Sequence, residues 1–316
     1  MTLPRLNEIE EASRRIAPCI HRTPLLVNES INRMTGARIY FKCENFQKAG
    51  AFKSRGACNA VFSMDPGHAA KGVATHSSGN HAQALSRAAA LRHIKAYIVM
   101  PRTAPLVKVN AVKEYGGLIT FCEPTLESRE NTLKEVIRHT GASEIHPYND
   151  LRILTGQATC AMEIYEDLKD IDIIMTPVGG GGLLSGTAAA TLYRSPRTRV
   201  IAAEPRGADD AYRSFYGGRF MPSVNPQTIA DGLLTSLGSL TYPIIKEHVS
   251  DILRVEEAHI ILAMRIIWER MKLVVEPSAA VPLAAILENT ERFRGSKTAL
   301  VLSGGNADLD HLPWKQ

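Results

Sequence analysis

The sequence predicts an α/β protein built on two open parallel sheets, and three observations carry that expectation. Strand-like apolar runs alternate with helical runs of ten or more residues from about residue 70 to Gly141, the spacing of βαβ units. The alternation restarts after Pro147 with a second set of strands and helices, which fits two sheets better than one. The chain has 316 residues, 45% hydrophobic and 22% charged, a globular balance with chain enough for about two domains. Boundaries near residues 70 and 150 make residues 71–149 a small domain inserted into a large one of residues 1–70 and 150–316.

Each element follows from its local pattern. Leu6, Ile9 and Ile16 share one side of a helix over Leu6 to about Ile16. Arg38–Glu44 reads as a short strand, and the polar loop NFQKAGAFK leads into a helix from about Ser54. GVATHSS is strand-like up to its serines, and HAQALSRAAALR is rich in helix formers. AYIVMP is a buried strand, TAPLVKVNAVKEYG a helix, LITFCEP a strand, and ESRENTLKEVIRHTG a helix stopped by Gly141. In the second half GQATCAMEIYEDL, LLSGTAAATLYR and HIILAMRIIWERMKL read as helices; DIIMTP, VIAAEP and TALVL read as strands. There is no internal repeat and no low-complexity tract.

Several function classes drop out. The net charge of +5 is spread thinly and no run of five Lys/Arg exists, so a nucleic-acid groove has little support. Cys19, Cys43, Cys58, Cys122 and Cys160 form no CxxC pair and read as reduced, buried thiols of a cytoplasmic protein. The N-terminus lacks the apolar stretch of a signal peptide, and no run approaches 18 apolar residues, which argues against a membrane span.

Ligands of open parallel sheets collect beyond the carboxyl ends of the strands, so the loops after strands matter most. Val178–Leu183 follows DIIMTP and opens a helix. Its glycines, Gly179, Gly180, Gly181 and Gly182, let backbone N–H groups converge without Cβ obstruction, an anion cradle at a helix N-terminus. A flexible turn is the plainer alternative. The run satisfies neither GxGxxG nor GxxxxGK[ST], which weakens dinucleotide and P-loop readings. Lys53, at a loop–helix junction, is either a solvated charge or, desolvated by Phe52, a nucleophile able to form a Schiff base. His76-Ser77-Ser78-Gly79-Asn80 joins hydroxyls, an amide and a helix N-terminus, a set that suits a carboxylate; alternatively Ser77 or Ser78 simply caps the helix. Ser303-Gly304-Gly305-Asn306 after TALVL is the fourth loop, with an ordinary turn as its alternative. A phosphate cradle, a Schiff-base lysine and a carboxylate nest together point to pyridoxal 5′-phosphate (PLP) and an amino-acid substrate.

The segments ENFQKAGAFKSRGA, THSSGNHAQAL, AYIVMPRTAP, PVGGGGLLSG, AAEPRGADDAY, WERMKLVVEPSA and LSGGNADL run in order over nearly the whole chain. In them the sequence resembles the fold-type II PLP enzymes (tryptophan synthase β-like), specifically the serine/threonine dehydratase family near serine racemase and 3-hydroxyaspartate ammonia-lyase. The resemblance implies roles. Lys53 forms the Schiff base and moves protons on one face of the cofactor. Phe52 packs on the ring, Asn80 bonds the 3′ oxygen, and Gly179–Gly182 with Leu183 hold the phosphate. Ser303 faces the pyridine nitrogen and leaves it unprotonated, which favours prompt loss of a β-leaving group. Ser78 matches the serine on the opposite face in serine racemases and permits racemisation without proving it. Glu204, Ala208 and Asp210 resemble the family's divalent-cation site, suited to Mg²⁺, Ca²⁺ or Mn²⁺; a solvated acidic turn is the alternative. The family also implies a homodimer, and the inserted-domain layout predicts closure between the two domains. The chain ends soon after SGGN, which leaves no room for a C-terminal regulatory domain.

The substrate question turns on the β-substituent, because a second carboxylate needs a cation or paired donors. His76, with Ser77–Asn80, and Arg129 of ESREN resemble the racemase and 3-hydroxyaspartate dehydratase branch, where the matching residues lie near the substrate's distal end. Arg129 alone could equally be a helix partner of Glu130 or Glu135. Tyr148 departs from the Asn usual in serine racemases, and Leu151–Leu154 is also unusual for the family. The expectation is therefore a PLP-dependent ammonia-lyase of 3-hydroxyaspartate, or of serine or threonine, giving a keto acid and ammonia. A serine racemase with side dehydratase activity is the alternative, ahead of a β-replacement synthase or a non-catalytic PLP-binding protein.

Overall fold

The computed structural model describes residues 3–104 and 106–315, without the side chain of Val107. Its strands are β1 (Leu25–Val27), β2 (Arg38–Cys43), β3 (Val73–His76), β4 (Ala96–Pro101), β5 (Leu118–Cys122), β6 (Ser143–Glu144), β7 (Ile173–Pro177), β8 (Arg199–Pro205), β9 (Asp251–Val255) and β10 (Lys297–Leu302). They form one sheet in the order β1-β2-β10-β7-β8-β9 and another in the order β5-β4-β3-β6. Only the β1–β2 pair is antiparallel.

The central strands of both sheets are covered on both faces, which is why they read as unbroken apolar runs, while Leu118, Thr120 and Phe121 of the edge strand β5 stay exposed. Leu300 of β10 lies opposite Phe41 and Met175, and these three share a core with helices Glu257–Ile266 and Pro277–Glu288. The next residue, Ala299, points the other way into a core with Ile174 and helices Leu151–Asp167 and Gly182–Arg194. In the small sheet Ile98 and Met100 meet residues of helices Lys53–Phe62 and Asn80–Leu91, while Val99 meets Leu133 of helix Leu126–Thr140.

The strand orders place the functional loops. The order in which strands are added switches side in the small sheet between β3 and β6, and in the large sheet between β10 and β7, although both pairs are parallel. A crevice opens at such switch points beyond the carboxyl ends of the strands. HSSGN follows β3, HPYND follows β6, the tetraglycine loop follows β7, and SGGN follows β10.

The chain enters the small sheet through helix Lys53–Phe62 and leaves it through helix Leu151–Asp167. A Cβ on Gly156 would stand 2.6 Å from Gly56 Cα, so the helices touch where neither has a side chain. Beside that contact the buried Arg55 is held by Glu44 (2.7 and 2.8 Å) and Glu163 (2.7 and 2.8 Å), and Lys42 Nζ donates to Glu163 at 2.5 Å. Opposed and fully hydrogen-bonded charges can sit in such a place at tolerable desolvation cost.

Some elements differ from the sequence expectation. The helix expected over GQATCAMEIYEDL starts at Leu151, where the Asp150 side chain accepts the Arg152 N–H, so the odd Leu151–Leu154 segment is its first turn, with Ile153 and Leu154 in the core. The expected TAPLVKVNAVKEYG helix is seen as Leu106–Glu114, with Pro105 outside the described residues. The helix at HIILAMRIIWERMKL is regular only to Ile266 and ends in a π-turn at Lys272. Strands β1 and β9 and the helix Pro277–Glu288 were not read from the sequence. Cys43, Cys58, Cys122 and Cys160 are buried, Cys19 is partly exposed, and all five are free thiols. No helix among the described residues is long and apolar enough to cross a membrane.

Candidate active site

Lys53 opens its helix directly after Ala51 pairs with Gly304, and the Phe52 N–H donates to Ser303 O at 3.0 Å. This stitch brings the lysine loop and the SGGN loop to one cavity of about 420 Å³. Lys53 Nζ donates to Pro147 O at 2.8 Å and stands 5.1 Å from the centre of the Phe52 ring. It faces the cavity but lies deep in the fold. Desolvation there draws its pKa down to about 8, against the opposing pull of Glu276. At neutral pH that raises the neutral amine from less than about one in a thousand to roughly one in ten. A solvated surface charge is excluded.

The tetraglycine loop lines the same cavity, and its neighbours explain the glycines. A Cβ on Gly180 would fall 2.3 Å from the ring carbons of Tyr148, one on Gly182 2.9 Å from Tyr148 Cβ, and one on Gly179 3.0 Å from Leu233 Cα. Gly181, at φ +86°, precedes the helix that Gly182 begins. Thr241 Oγ1 donates to Gly180 O at 2.8 Å and pins the loop from behind. The loop is a fixed bed of backbone, not a flexible turn, and its helix N-terminus suits a phosphate.

The HSSGN loop supplies His76, Ser77, Ser78, Gly79 and Asn80 to the cavity wall. Here the capping alternative fails. The helix starts at Asn80 after Gly79, without a side-chain cap, and Ser77 Oγ instead accepts the Gly79 N–H at 3.3 Å in a local turn.

Arg129 also lines the cavity. Thr125 caps its helix by accepting the Ser128 N–H at 3.1 Å, so Arg129 sits near the helix start. Its Nε is buried without a hydrogen-bond partner. Among the described residues it forms no salt bridge, and Glu135 pairs with Arg138 at 2.6 Å instead. The helix-partner alternative for Arg129 is thereby overturned. A buried donor of this kind costs free energy until something accepts from it.

The imidazoles beside it are neutral. Burial and then Arg129 lower the pKa of His76, and burial, His76 and Lys53 bring His146 to about 4. His146 Nδ1 accepts from the backbone N–H of Asn149 at 2.9 Å, which leaves the ring proton on Nε2.

Three groups of the cavity escaped the sequence reading. Tyr148 was noted only as a departure, yet its ring lies on the glycine bed and meets His146 edge-on at 4.6 Å. Glu276 is buried, and burial and then Asp231 raise its pKa to about 7. Asp231–Thr235 closes one side, with Asp231 paired to Lys108 of the small sheet's helix. None has a local signal, since each reaches the cavity through the long-range fold.

Glu204, at the end of β8, and Ala208 and Asp210 just after it cluster away from this cavity. Glu204 accepts the N–H groups of Ala211 (3.0 Å) and Tyr212 (2.9 Å). Asp210 Oδ2 accepts from Leu237 N–H at 3.3 Å, while its Oδ1 is buried without a partner. Burial pushes Glu204 well above the usual carboxylate range and Asp210 up to about 7. Among the described residues no three His, Cys, Asp or Glu side chains converge on one metal position. Two carboxylates, one with an orphan oxygen, plus the Ala208 segment nonetheless fit a hard, oxygen-preferring cation. Such buried carboxylates are not a solvated acidic turn.

The family model described as pyridoxal-phosphate dependent enzyme matches residues 16–304. A beta-hydroxyaspartate dehydratase of Paracoccus denitrificans (strain Pd 1222) is 52% identical over 314 residues, covering 99% of this chain and 100% of that protein. The crystal structure of serine racemase from Dictyostelium discoideum superposes with a TM-score of 0.93 at 50% identity, over 96% of this chain and 99% of that one. A threonine deaminase from T.th. superposes with a TM-score of 0.92 at 40% identity, over 97% of this chain and 99% of that one.

Proposed function

This chain belongs to the pyridoxal-phosphate dependent enzymes, and from that premise we propose that it is an ammonia-lyase of a β-hydroxy amino acid, with 3-hydroxyaspartate preferred to serine. The buried, unpartnered Arg129 Nε in the cavity of Lys53 carries this reading. A guanidinium held there suits a second carboxylate on the substrate, while serine would leave it unsatisfied. The likeness to a beta-hydroxyaspartate dehydratase supports it.

When bound, PLP supplies an electron sink for the substrate's α-carbon. The remaining work falls to the side chains. Backbone N–H groups of Gly179–Gly182 and Leu183 would hold the phosphate, and Phe52 would cover one face of the ring. Asn80 would donate to the 3′ oxygen, and the Ser303 hydroxyl would leave the pyridine nitrogen without a proton. Ser77–Asn80 receive the α-carboxylate; Arg129 and neutral His76 receive the distal group. Lys53 Nζ takes the Cα proton, a task suited to an amine whose pKa lies near the working pH. Loss of the Cα proton and the Cβ hydroxide removes water, and hydrolysis of the resulting enamine gives the keto acid and ammonia.

The test is keto-acid release from the stereoisomers of 3-hydroxyaspartate and from L-serine, with PLP and Mg²⁺ present. One hydroxyaspartate isomer is expected to exceed L-serine in kcat/KM by about 100-fold, the worth of one buried charge-assisted pair. Comparable or better turnover of serine would overturn the reading. Ser78, on the same cavity wall, favours a second reading as a serine racemase, for which D-serine would accumulate from L-serine.

Glu204, Asp210 and the Ala208 carbonyl would hold a structural or activating divalent cation. Mg²⁺ or Ca²⁺ is expected to raise the melting temperature by several degrees, because it binds only the folded chain. Asp210→Asn should erase that rise; a rise that survives the substitution places the ion elsewhere. A homodimer belongs to the same proposal and is checked by sedimentation equilibrium.

A further inference from the structure

Four polar groups run end to end from behind the active-site cavity into its wall, where Asn80 and Glu276 line it. The Ala49 carbonyl accepts from Asn306 Nδ2 at 2.9 Å. A carbonyl can only accept, so this contact identifies the nitrogen of the Asn306 amide. The same nitrogen donates to Asn80 Oδ1 at 2.8 Å. That fixes the Asn80 oxygen, and its nitrogen faces the opposite way, donating to Glu276 Oε1 at 2.8 Å and Oε2 at 3.1 Å. A backbone carbonyl at one end and a carboxylate at the other thus demand the same orientation of both amides.

One donor of the chain is left over. The two carboxylate oxygens lie within about 45° of each other seen from Asn80 Nδ2, whereas the two protons of an amide nitrogen diverge by about 120°. Both contacts to Glu276 therefore draw on a single N–H, and the second N–H is free on a residue that lines the cavity. Two glycines make the arrangement possible. A Cβ on Gly50 would fall 2.4 Å from Asn306 Oδ1, and one on Gly304 2.5 Å from Glu276 Oε1.

We propose that Asn306 and Glu276 are positioning residues that lock the Asn80 carboxamide with one N–H always presented to the cofactor's 3′ oxygen. The inference rests on the reading of Asn80 as the partner of that oxygen. It gives a task to Gly304 and Asn306 of SGGN, and to Glu276, which no cofactor or substrate contact assigned above employs. A carboxamide free to flip would present its oxygen to the 3′ oxygen half the time and repel it. The locked one keeps a donor there, stabilises the ionised 3′ oxygen and so sets the pH at which bound PLP changes its visible absorbance.

The holoenzyme and the variants Asn80→Ala, Asn306→Asp and Glu276→Gln test this, through the dissociation constant for PLP and the pH titration of its visible band. Asn306→Asp places oxygens that only accept against the Ala49 carbonyl and Asn80 Oδ1, which forces Asn80 to turn. It is expected to weaken PLP about tenfold, as Asn80→Ala does, and to move the titration in the same direction. Glu276→Gln keeps an accepting oxygen but can also turn an N–H towards Asn80, so it is expected to weaken PLP in the same direction as Asn306→Asp and by less. If Asn306→Asp does not fold, Asn306→Ala is expected to show the same direction with a smaller shift. Parent-like affinity and titration in the Asn306 variants, with Asn80→Ala impaired, would overturn the lock and leave Asn80's role intact. A parent-like Asn80→Ala would overturn that role and the lock together.

Discussion

Lys53→Ala is expected to abolish the visible absorbance of bound cofactor and to lower turnover of every substrate by roughly 10⁴-fold or more, since in the proposed mechanism one nitrogen serves as both nucleophile and base. Circular dichroism of the apoprotein stays native, because the side chain ends in a cavity and makes one hydrogen bond, to Pro147 O. The pH dependence has a definite sign. The lysine pKa is depressed to about 8 by burial, so the neutral, aldehyde-capturing amine accumulates as pH rises through 8 rather than through 10. The rate at which apoprotein takes up PLP is therefore expected to climb between pH 6.5 and 8.5 and then level off. A rate still climbing steeply at pH 9.5 would show an unperturbed amine, and substantial turnover by the alanine variant would remove Lys53 from the chemistry.

Arg129→Gln has the second largest effect, and it is selective. With the role proposed for Arg129, the variant loses the charge that would meet the substrate's distal carboxylate, an expected cost of about 3–4 kcal/mol, or ~100- to 1,000-fold in kcat/KM for 3-hydroxyaspartate. L-Serine has no group to lose there, and its kcat/KM should change by less than about threefold. The ratio of the two substrates, measured on one preparation, is insensitive to the active fraction. An equal fall for both would make Arg129 a structural residue of its helix. The neutral His76 cannot replace the missing charge, because burial holds its pKa below the ordinary value.

The loops that meet at the cavity were legible because their residue types are costly anywhere else. Four glycines between a strand and a helix, a lysine beside Phe52, and SSGN at a helix start are poor connectors and good ligands. The helix Leu6–Ile16 was equally legible, since its apolar positions recur at helical spacing. Pro277–Glu288 was not. PSAAVPLAAILE carries two prolines and is apolar on every side, as suits a helix buried all round, so it shows no period. Glu276 lies 196 residues from the Asn80 it holds, and only the register of the two sheets brings them together. Tyr148 stood out as a departure, but its place on Gly180 and Gly182 is a matter of packing shape that no spacing encodes.

The glycine contact between the helices Lys53–Phe62 and Leu151–Asp167 makes one joint out of two chain crossings. Two separate crossings would let the small sheet slide and twist; crossings in contact at Gly56 and Gly156, with Arg55 clamped beside them, would favour rotation about a single axis in any movement of that sheet. Lys53 is three residues from that axis, while Arg129 rides on a helix at the sheet's outer layer. The lever arms are unequal, so such a swing would move the guanidinium far more than the lysine nitrogen. With the roles proposed for these two residues, admission of substrate and alignment of the reacting nitrogen would be mechanically decoupled.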